Sequence, residues 1–469
     1  MPMLFPRLAL LLFVAVAVLA PLTASAAPAA SRPNIVFFLT DDQPYAGLSA
    51  TGQLGTRTPA LDQLAADGVL FENAFATTAI CCSSRASILT GQYMRRHGIE
   101  DFQKPLSETQ LARTFPVLLR EHGYRTAFLG KFAVGSPQVD ARQALPAHLF
   151  DLWYGFPQNV SFRQTEGGRT RYLTTVMTEK AVEFLDATPR DQPFCLIMAL
   201  KEPHGPLDYP DPEFTPPRDA GPITPPATLT RAAFDRLPAV VRESLAASPR
   251  LIDSRTAFES YVRQRNAYIA RADLAIGQVR AALAARGLDR NTVVLFASDH
   301  GVFMGAHGLS GKWLMYEESI RLPLIIADPR LPASTRGRRS AMALNIDLAP
   351  TVLALAGVPI PAMMQGSDLR PVLRDPTARV RTDWFYEHVY SDPTRRPIPK
   401  IEGIRTERWK YIRYPETQPL VEELFDLTAD PHEEHDLVGR TNHRAMLDEL
   451  RARCDAYRVA LRQDNAAER

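Results

Sequence analysis

Charged side chains close two strongly apolar segments of this 469-residue chain, "NIVFFLTDD" and "TVVLFASDH". The first segment ends in Asp41 and Asp42, and the second ends in Asp299 and His300. Paired carboxylates at the end of a buried strand repel each other unless a cation joins them. Alone, either pair would suit a solvated turn or a helix cap. Two such pairs favour a hard divalent cation, Ca²⁺ or Mg²⁺, with His300 as an unusual ligand.

Side chains that carry positive charge or donate a proton follow other segments of the chain. These are Lys131, Lys201 and His204 in "KEPHGP", and Lys312 in "GKWLMYEE". Singly, each would be a surface lysine or a histidine satisfied in the core. Near a metal, they predict a pocket for an oxyanion whose charge develops during a reaction.

Two adjacent cysteines open the stretch "ICCSSRASILTG". The chain has only four cysteines, too few and too irregularly spaced for a disulfide framework. We predict a helix that starts near Ser83, so that Cys81 lies at its N-terminus, where free amide groups and the helix dipole attract anions. Arg85 lies about one turn further on, and its guanidinium can point back at residue 81. A reactive group at position 81 would then lie between an arginine and the helix dipole.

The elements that must position these residues follow from the apolar pattern. Two further segments, "YRTAFLGK" and "PFCLIMALKEPH", also have strand length and end in polar residues, and helical patterns separate all four. Apolar runs without alternation suit strands covered on both faces, so the pattern indicates a doubly wound, mostly parallel α/β sheet. Ligands of such sheets bind beyond the carboxyl ends of the strands. The charged groups should therefore meet at one edge.

The chain is long enough for one large domain and a smaller one. We predict a main domain over residues 27–374 and a C-terminal α+β subdomain over residues 375–469, with a small antiparallel sheet and a closing helix at about 444–461. The proline-rich stretch 209–226 is typical of a long surface loop. We expect that stretch and the region around Glu387, His388 and Arg395 to face the substrate.

The N-terminus carries one basic residue, Arg7, then an apolar run and a small-residue cleavage pattern, "ASA". This order is typical of a secretory signal peptide, placed at residues 1–26, and predicts a periplasmic or secreted protein. A membrane anchor is the alternative, but the apolar core is short and Pro21 interrupts it. No later segment is apolar enough to span a membrane. A net charge of +2 without a basic stripe argues against nucleic-acid binding.

The stretch "CCSSRASILTG" resembles the signature of the type I sulfatases, in which a cysteine, a variable residue and usually a proline precede Ser-Arg, three variable residues and Leu-Thr-Gly. Further stretches follow in the family's order: "NIVFFLTDD", "GK", "PHGP", "SDHG", "GKW", "RTERWKYIRY" and "ELFDLTADPHEEHDL". The Cys-Cys start is similar to that of N-acetylglucosamine-6-sulfatases and related polysaccharide sulfatases. The resemblance implies an alkaline-phosphatase-like fold and a sulfuric ester hydrolase acting on a sulfated sugar, such as one of the glucosamine 6-sulfate type.

The resemblance also implies roles for the candidate residues. The implied Ca²⁺ ligands are Asp41, Asp42, Asp299, His300 and residue 81, and the implied substrate contacts are His204, Lys312 and, more weakly, His307. Cys81 would be oxidised to formylglycine by a maturase. Arg85 and Lys131 would steady the formylglycine diol and the sulfate, and His204 or Lys312 would protonate the departing oxygen.

Formylglycine would supply chemistry that a thiol lacks. As a geminal diol it offers one hydroxyl to attack sulfur in line, while the metal and nearby cations stabilise the sulfate oxygens. The second hydroxyl then loses its proton, and sulfate is expelled as the aldehyde re-forms. A serine at position 81 would lack that second hydroxyl and would stall as a stable ester.

Two positions depart from the family pattern. Ser83 stands where proline is usual, and the common aerobic maturase is thought to favour that proline. Ala133 stands where many members have histidine, which we interpret as a difference of substrate class. One alternative is a phosphomonoester or phosphonate hydrolase of the same superfold, which the signature around Cys81 argues against. The other is an unmatured, non-catalytic protein that binds metal and sulfated glycan, which Ser83 alone supports.

Overall fold

The computed structural model describes residues 32–135, 145–166, 168–207, 211–217 and 221–466. The predicted signal peptide at residues 1–26 lies outside this part of the chain. Among the helices that are described, none combines the length and the apolar character needed to cross a bilayer.

Strands and helices alternate over most of the described chain. The strands are β1 (Asn34–Thr40), β2 (Val69–Phe75), β3 (Arg125–Lys131), β4 (Leu152–Phe156), β5 (Arg163–Glu166), β6 (Arg169–Tyr172), β7 (Phe194–Ala199), β8 (Thr292–Ser298), β9 (Phe303–Met304), β10 (Ser310–Gly311), β11 (Leu324–Ala327), β12 (Gly337–Leu344), β13 (Asp383–His388), β14 (Ile401–Thr406), β15 (Trp409–Tyr414) and β16 (Val421–Asp426). The α-helices are α1 (Pro59–Asp67), α2 (Cys81–Thr90), α3 (Met94–His97), α4 (Glu108–Leu111), α5 (Phe115–Glu121), α6 (Leu173–Asp186), α7 (Arg231–Arg236), α8 (Ala239–Arg242), α9 (Arg250–Asp253), α10 (Arg255–Ala285), α11 (Glu317–Ile320), α12 (Leu348–Ala356), α13 (Arg370–Arg374) and α14 (Arg444–Ala466).

The central sheet has eight strands in the order β12-β2-β11-β8-β1-β7-β3-β4. Neighbouring strands are parallel except at β11, which runs antiparallel to both β2 and β8. The four strands predicted from apolar runs, β8, β1, β7 and β3, are adjacent and parallel in the middle of this sheet. The predicted doubly wound, mostly parallel sheet is therefore confirmed.

Helices cover both faces of the sheet, which explains why its strands are apolar throughout. Successive residues of a strand point to opposite faces. In β1, Ile35 and Phe37 belong to one buried core together with Phe115 of α5. Val36 belongs to a second core together with Ile276 of α10. With both faces buried, the first polar side chains after each strand lie at the carboxyl edge.

The C-terminal part forms the predicted small antiparallel sheet, in the order β13-β14-β15-β16, and ends in α14. This helix continues to Ala466, beyond the predicted end at about residue 461. Trp384 of β13 stacks on Phe75 at the end of β2, with ring centroids 5.3 Å apart. Leu450 of α14 lies in the same buried core. The C-terminal sheet thus packs on the carboxyl edge of the central sheet.

Gly130 directly precedes Lys131 at the end of β3. Its φ of 105° is one that residues with a side chain rarely adopt. A Cβ built on Gly130 would lie 2.0 Å from Ala199 O in β7. We therefore expect Gly130→Ala to lower the free energy of unfolding, measured in urea, by about 2–4 kcal/mol. Gly439→Ala is the control, because its Cβ would meet open space. Equal urea midpoints for the two variants would contradict the close approach.

Candidate active site

Four of the five predicted metal ligands converge at the carboxyl edge of the central sheet. Asp41 and Asp42 follow β1, and Asp299 and His300 follow β8, its parallel neighbour. Asp299 N donates to Thr40 O over 3.1 Å, which holds the two strand ends together. Asp299 Oδ1 accepts from the backbone N–H groups of Asp42 and His300 at 3.1 and 3.0 Å. The two turns therefore form one polar cluster.

Cys81 lies against this cluster. Its Sγ is 3.4 Å from Asp41 Oδ1, 3.6 Å from His300 Nε2 and 3.0 Å from Lys312 Nζ. Two groups have donor atoms that all lie within 4.8 Å of one another, namely Asp41, Asp42, Cys81 and His204, and Cys81, Asp299 and His300. Residue 81 and the predicted ligands therefore form a single site.

Helix α2 starts at Cys81 with Ile80 as its N-cap, earlier than the predicted start near Ser83. Neither serine of the first turn caps the helix. The Ser83 hydroxyl donates to Ile99 O over 2.7 Å, and the Ser84 hydroxyl donates to Asp299 O. The serines thus fasten α2 to neighbouring segments instead of capping its first turn.

Arg85 joins the ends of three strands from a buried position, with 2% of its side chain exposed. Its Nε donates to Asp299 Oδ2 over 3.0 Å and its Nη1 donates to Lys131 O over 2.5 Å. Its Nη2 lies 3.5 Å from Asp41 Oδ1 and has no hydrogen-bond partner among the described residues. That N–H group is a donor available to an anion.

Three basic side chains surround the carboxylates. Lys131 Nζ lies 2.5 Å from Asp41 Oδ2, and Lys312 Nζ lies 2.5 Å from Asp42 Oδ1. His204 Nε2 lies 3.7 Å from Asp42 Oδ2. All three line the cavity in which the thiol of residue 81 lies. The structure therefore places proton donors and positive charge around the same atoms as the predicted metal ligands.

Opposing charges set the ionisation of the site. Burial alone would raise the pKa of Asp41, but Lys131 and the other nearby cations outweigh it and hold that pKa well below its ordinary value. Burial and Asp41 would also raise the pKa of the Cys81 thiol, yet Lys131 and Lys312 bring it well below the ordinary value. Position 81 therefore favours a negatively charged group.

The donor set fits a divalent cation. Burial raises the pKa of Asp299 to about 6 although His300 and Arg85 oppose it, so a further cation beside this carboxylate would favour its charged form. His300 Nδ1 lies 2.8 Å from Gly301 O, which can only accept, so that nitrogen carries a proton and Nε2 faces the carboxylates. Three buried carboxylates with one imidazole suit a hard ion such as Ca²⁺ or Mg²⁺.

Other predicted residues lie elsewhere. His307, with 1% of its surface exposed, lines a separate cavity that also contacts the C-terminal residues 433–437. In the stretch 209–226, none of the described residues lines the Cys81 cavity, and residues 224–226 border a third cavity. Lys201 Nζ lies 3.9 Å above the ring of Phe162. The structure therefore does not place His307 or residues 224–226 in the cavity of Cys81.

The cavity that contains Cys81 has a volume of about 910 Å³. Its lining includes the predicted Arg395, together with residues that the sequence analysis did not single out. These are Asp101, Phe102, Gln103, Gln158, Asn159, Trp313, Ile398 and most of the loop between β13 and β14. Phe102 and Tyr390 pack edge to face across it, with ring centroids 5.8 Å apart. The part contributed by the loop lies between two predicted C-terminal strands, as expected for the region around Arg395, but Glu387 and His388 are buried and do not line the cavity.

Two family models match the chain. The sulfatase model covers residues 33–358. A model described as N-sulphoglucosamine sulphohydrolase, C-terminal, covers residues 305–460. The chain belongs to the sulfatase family. It is therefore a sulfuric ester hydrolase, and sulfatases generally use a formylglycine and a divalent metal.

This sulfatase is 29% identical to the N-acetylglucosamine-6-O-sulfatase of Bacteroides thetaiotaomicron, a match that covers 89% of this chain and 85% of the relative. It is 28% identical to the ulvan-active sulfatase of Formosa agariphila, over 90% of this chain and 80% of that protein. A solved structure in complex with its substrate, D-glucosamine-2-N,6-O-disulfate, matches with a TM-score of 0.74 and 27% identity, covering 92% of this chain and 99% of that one. The expected alkaline-phosphatase-like fold is confirmed.

Proposed function

We propose that this sulfatase removes sulfate from a sugar of the glucosamine 6-sulfate type, using a formylglycine formed from Cys81 and a bound Ca²⁺. One observation carries the proposal: Cys81 Sγ lies 3.4 Å from Asp41 Oδ1 and 3.0 Å from Lys312 Nζ, in a cavity of about 910 Å³. A cavity of this size accepts a small sugar. The 6-O-sulfatase relative and the structure bound to a glucosamine disulfate support the choice of sugar.

The metal assignment follows from the donor set. Asp41, Asp42, Asp299 and His300 would hold the ion, and residue 81 would complete the site. When bound, Ca²⁺ would neutralise charge on the sulfate oxygens. Arg85 keeps two of the carboxylates oriented through its contacts at 3.0 Å to Asp299 and 3.5 Å to Asp41.

The remaining residues act on the sulfate and on the departing sugar oxygen. A formylglycine diol supplies the nucleophile. Lys131 and the Nη2 of Arg85, which has no hydrogen-bond partner among the described residues, would hold negative oxygens. Lys312 and His204 stand where a leaving oxygen can take a proton. Burial alone would lower the pKa of His204, but the carboxylates of Asp42 and Asp41 raise it, which keeps a proton on the imidazole.

Export and maturation belong to the same proposal. Residues 1–26 would direct the chain to the periplasm or the exterior, and residues 27–374 and 375–469 would form the catalytic domain and its C-terminal subdomain. A maturase would convert Cys81 despite Ser83. Because the Ser83 hydroxyl is bonded to Ile99 O in the fold, serine at this position is compatible with the native helix.

The substrate assignment is tested with purified, matured enzyme on a set of esters. We expect sulfate release from N-acetylglucosamine 6-sulfate with a kcat/KM at least about 100-fold above that for the 3-sulfate isomer. A higher kcat/KM for a phosphonate monoester or a phosphomonoester would favour the hydrolase of the same superfold. Tight binding of the 6-sulfate without turnover would favour a glycan-binding protein.

Removal of divalent metal is expected to lower kcat at least about 100-fold and to lower the Tm, because Asp41, Asp42 and Asp299 would repel one another without their cation. The measurement is turnover and thermal unfolding after dialysis against a chelator, with metal content checked by emission spectrometry. Titration with Ca²⁺ and with Mg²⁺ in parallel shows which ion restores both properties. Full activity in protein verified to be metal-free would contradict the site.

A further inference from the structure

Tyr386, in β13 of the C-terminal sheet, reaches the backbone of the active site. The residue is fully buried. Its hydroxyl accepts from Ala79 N over 3.3 Å and donates to Trp313 O. One hydroxyl thus joins two segments of the main domain that are far apart in sequence.

These two segments carry groups that face each other in the site. Ala79 precedes Ile80, the N-cap of α2, and Cys81, its first residue. Trp313 directly follows Lys312. Lys312 Nζ and Cys81 Sγ lie 3.0 Å apart. The Tyr386 hydroxyl therefore bridges the backbones that set this distance.

The backbone of Trp313 needs such a restraint. Its φ is 81°, a left-handed value that is rare and strained for a bulky residue. Such a conformation persists only where the surroundings hold it. The indole ring folds back over Gly311, where a Cβ would lie 2.9 Å from the ring. The hydrogen bond from the Tyr386 hydroxyl fixes the carbonyl of Trp313.

β13 is itself fixed against the segment that leads to α2. Glu387 N donates to Thr77 O over 3.2 Å, one residue along from Tyr386. The Glu387 carboxylate pairs with Arg95 Nη2 at 2.6 Å, with 1% of the glutamate side chain exposed. The tyrosine hydroxyl is therefore presented from a rigid strand.

We infer that Tyr386 is a positioning residue that aims Lys312 at the departing oxygen, an inference that rests on the proposed role of Lys312 as a proton donor. Without the hydroxyl, Ala79 N–H and Trp313 C=O lose their buried partner, and the strained turn at Trp313 relaxes. A displacement of about 1 Å between reacting groups can cost roughly 100-fold in rate. The C-terminal sheet thus contributes to the proton transfer without touching the substrate at this point.

The test compares two esters in Tyr386→Phe. For the sugar sulfate, whose alkoxide leaving group needs a proton, we expect kcat to fall about 10- to 100-fold with KM within about twofold. For 4-nitrophenyl sulfate, whose phenolate leaves without help, we expect a loss below about threefold. Tyr411→Phe is the matched control, since this fully buried tyrosine of the same sheet donates to Glu422 Oε1 over 2.6 Å. It should lose comparable stability and keep both rates.

A double-mutant cycle with Lys312→Met separates positioning from a general structural effect. If Tyr386 acts through Lys312, Tyr386→Phe adds no further loss to the Lys312→Met enzyme. Additive losses, or equal losses on the two esters, would overturn the inference. Unchanged sugar-sulfate turnover in Lys312→Met would instead overturn the proposed role of Lys312. If Tyr386→Phe is recovered unfolded, 3-fluorotyrosine at position 386 keeps the ring and changes the donor strength of the hydroxyl. It should then change kcat for the sugar sulfate and leave kcat for 4-nitrophenyl sulfate unchanged, and an equal change on both esters would overturn the inference.

Discussion

Replacement of Cys81 by alanine is expected to lower kcat about 10⁴-fold or more while the free energy of unfolding changes little. The alanine side chain cannot be oxidised to formylglycine, so the nucleophile is lost. The side chain of Cys81 is 1% exposed, and alanine removes only the sulfur, which relieves the crowding beside Asp41 and Lys312. Turnover of the sugar sulfate and urea unfolding measure the two quantities.

The adjacent cysteine is the matched control. Cys82 is fully buried in the core on one face of the central sheet, and burial raises the pKa of its thiol to about 12. Cys82→Ala should cost about 1–2 kcal/mol of stability and leave kcat unchanged. The mass of the tryptic peptide of residues 58–85 from the native host shows whether a cysteine has become an aldehyde, and the masses of its fragment ions show which of the two it is. Turnover by Cys81→Ala, or by enzyme whose residue 81 is an unmodified thiol, would contradict the mechanism.

Replacement of Arg85 by alanine is expected to lower the free energy of unfolding by about 3–5 kcal/mol and to abolish measurable turnover. The guanidinium is the buried counter-charge of Asp299 at 3.0 Å and lies 3.5 Å from Asp41. Its removal leaves these two fully buried carboxylates without that partner. The Lys131 carbonyl also loses the donor that holds the end of β3. Urea unfolding and steady-state turnover, each with saturating Ca²⁺, measure the effects.

Arg85→Lys distinguishes charge from geometry. A lysine keeps the charge but presents a single ammonium instead of the planar fork that contacts three strand ends. We therefore expect it to recover part of the stability and little of the turnover. Arg381→Ala breaks another buried pair, with Asp347 at 2.6 Å, whose residues do not line the Cys81 cavity. It should destabilise the protein and spare kcat. Full turnover in Arg85→Lys would contradict the role of the fork.

The strands at the centre of the sheet were predictable, and those at one side were not. β8, β1, β7 and β3 are continuous apolar runs because helices bury both of their faces. β2 has two half-buried polar residues, Glu72 and Asn73, in its middle. β11 has four residues, and β12 begins with "GRRS". The pattern of these strands is weak because they are shorter or less completely buried.

The start of α2 shows a different limit of sequence reasoning. The predicted helix start near Ser83 would suit serine as a local cap, because serine is a good N-cap residue. In the fold, the hydroxyls of Ser83 and Ser84 bond to Ile99 O and Asp299 O, which are remote in sequence. The serine hydroxyls therefore bond to these distant carbonyl groups and not to the amide groups of the first turn, and the helix begins at Cys81.

The sequence alone determined the fold class and the type of chemistry, because both depend on local features. Apolar runs that end in charged residues predict the sheet, and the signature around Cys81 indicates the chemistry. Only the tertiary structure decided which residues share the site. His307, the weaker candidate for substrate contact, and residues 224–226 of the stretch expected to face the substrate line other cavities, whereas His204 lines the cavity of Cys81. Conversely, Tyr386 and the loop between β13 and β14 reach the site from the C-terminal sheet. Their positions depend on how that sheet packs on the strand ends, and this packing is set by contacts between residues hundreds of positions apart, such as Phe75 and Trp384.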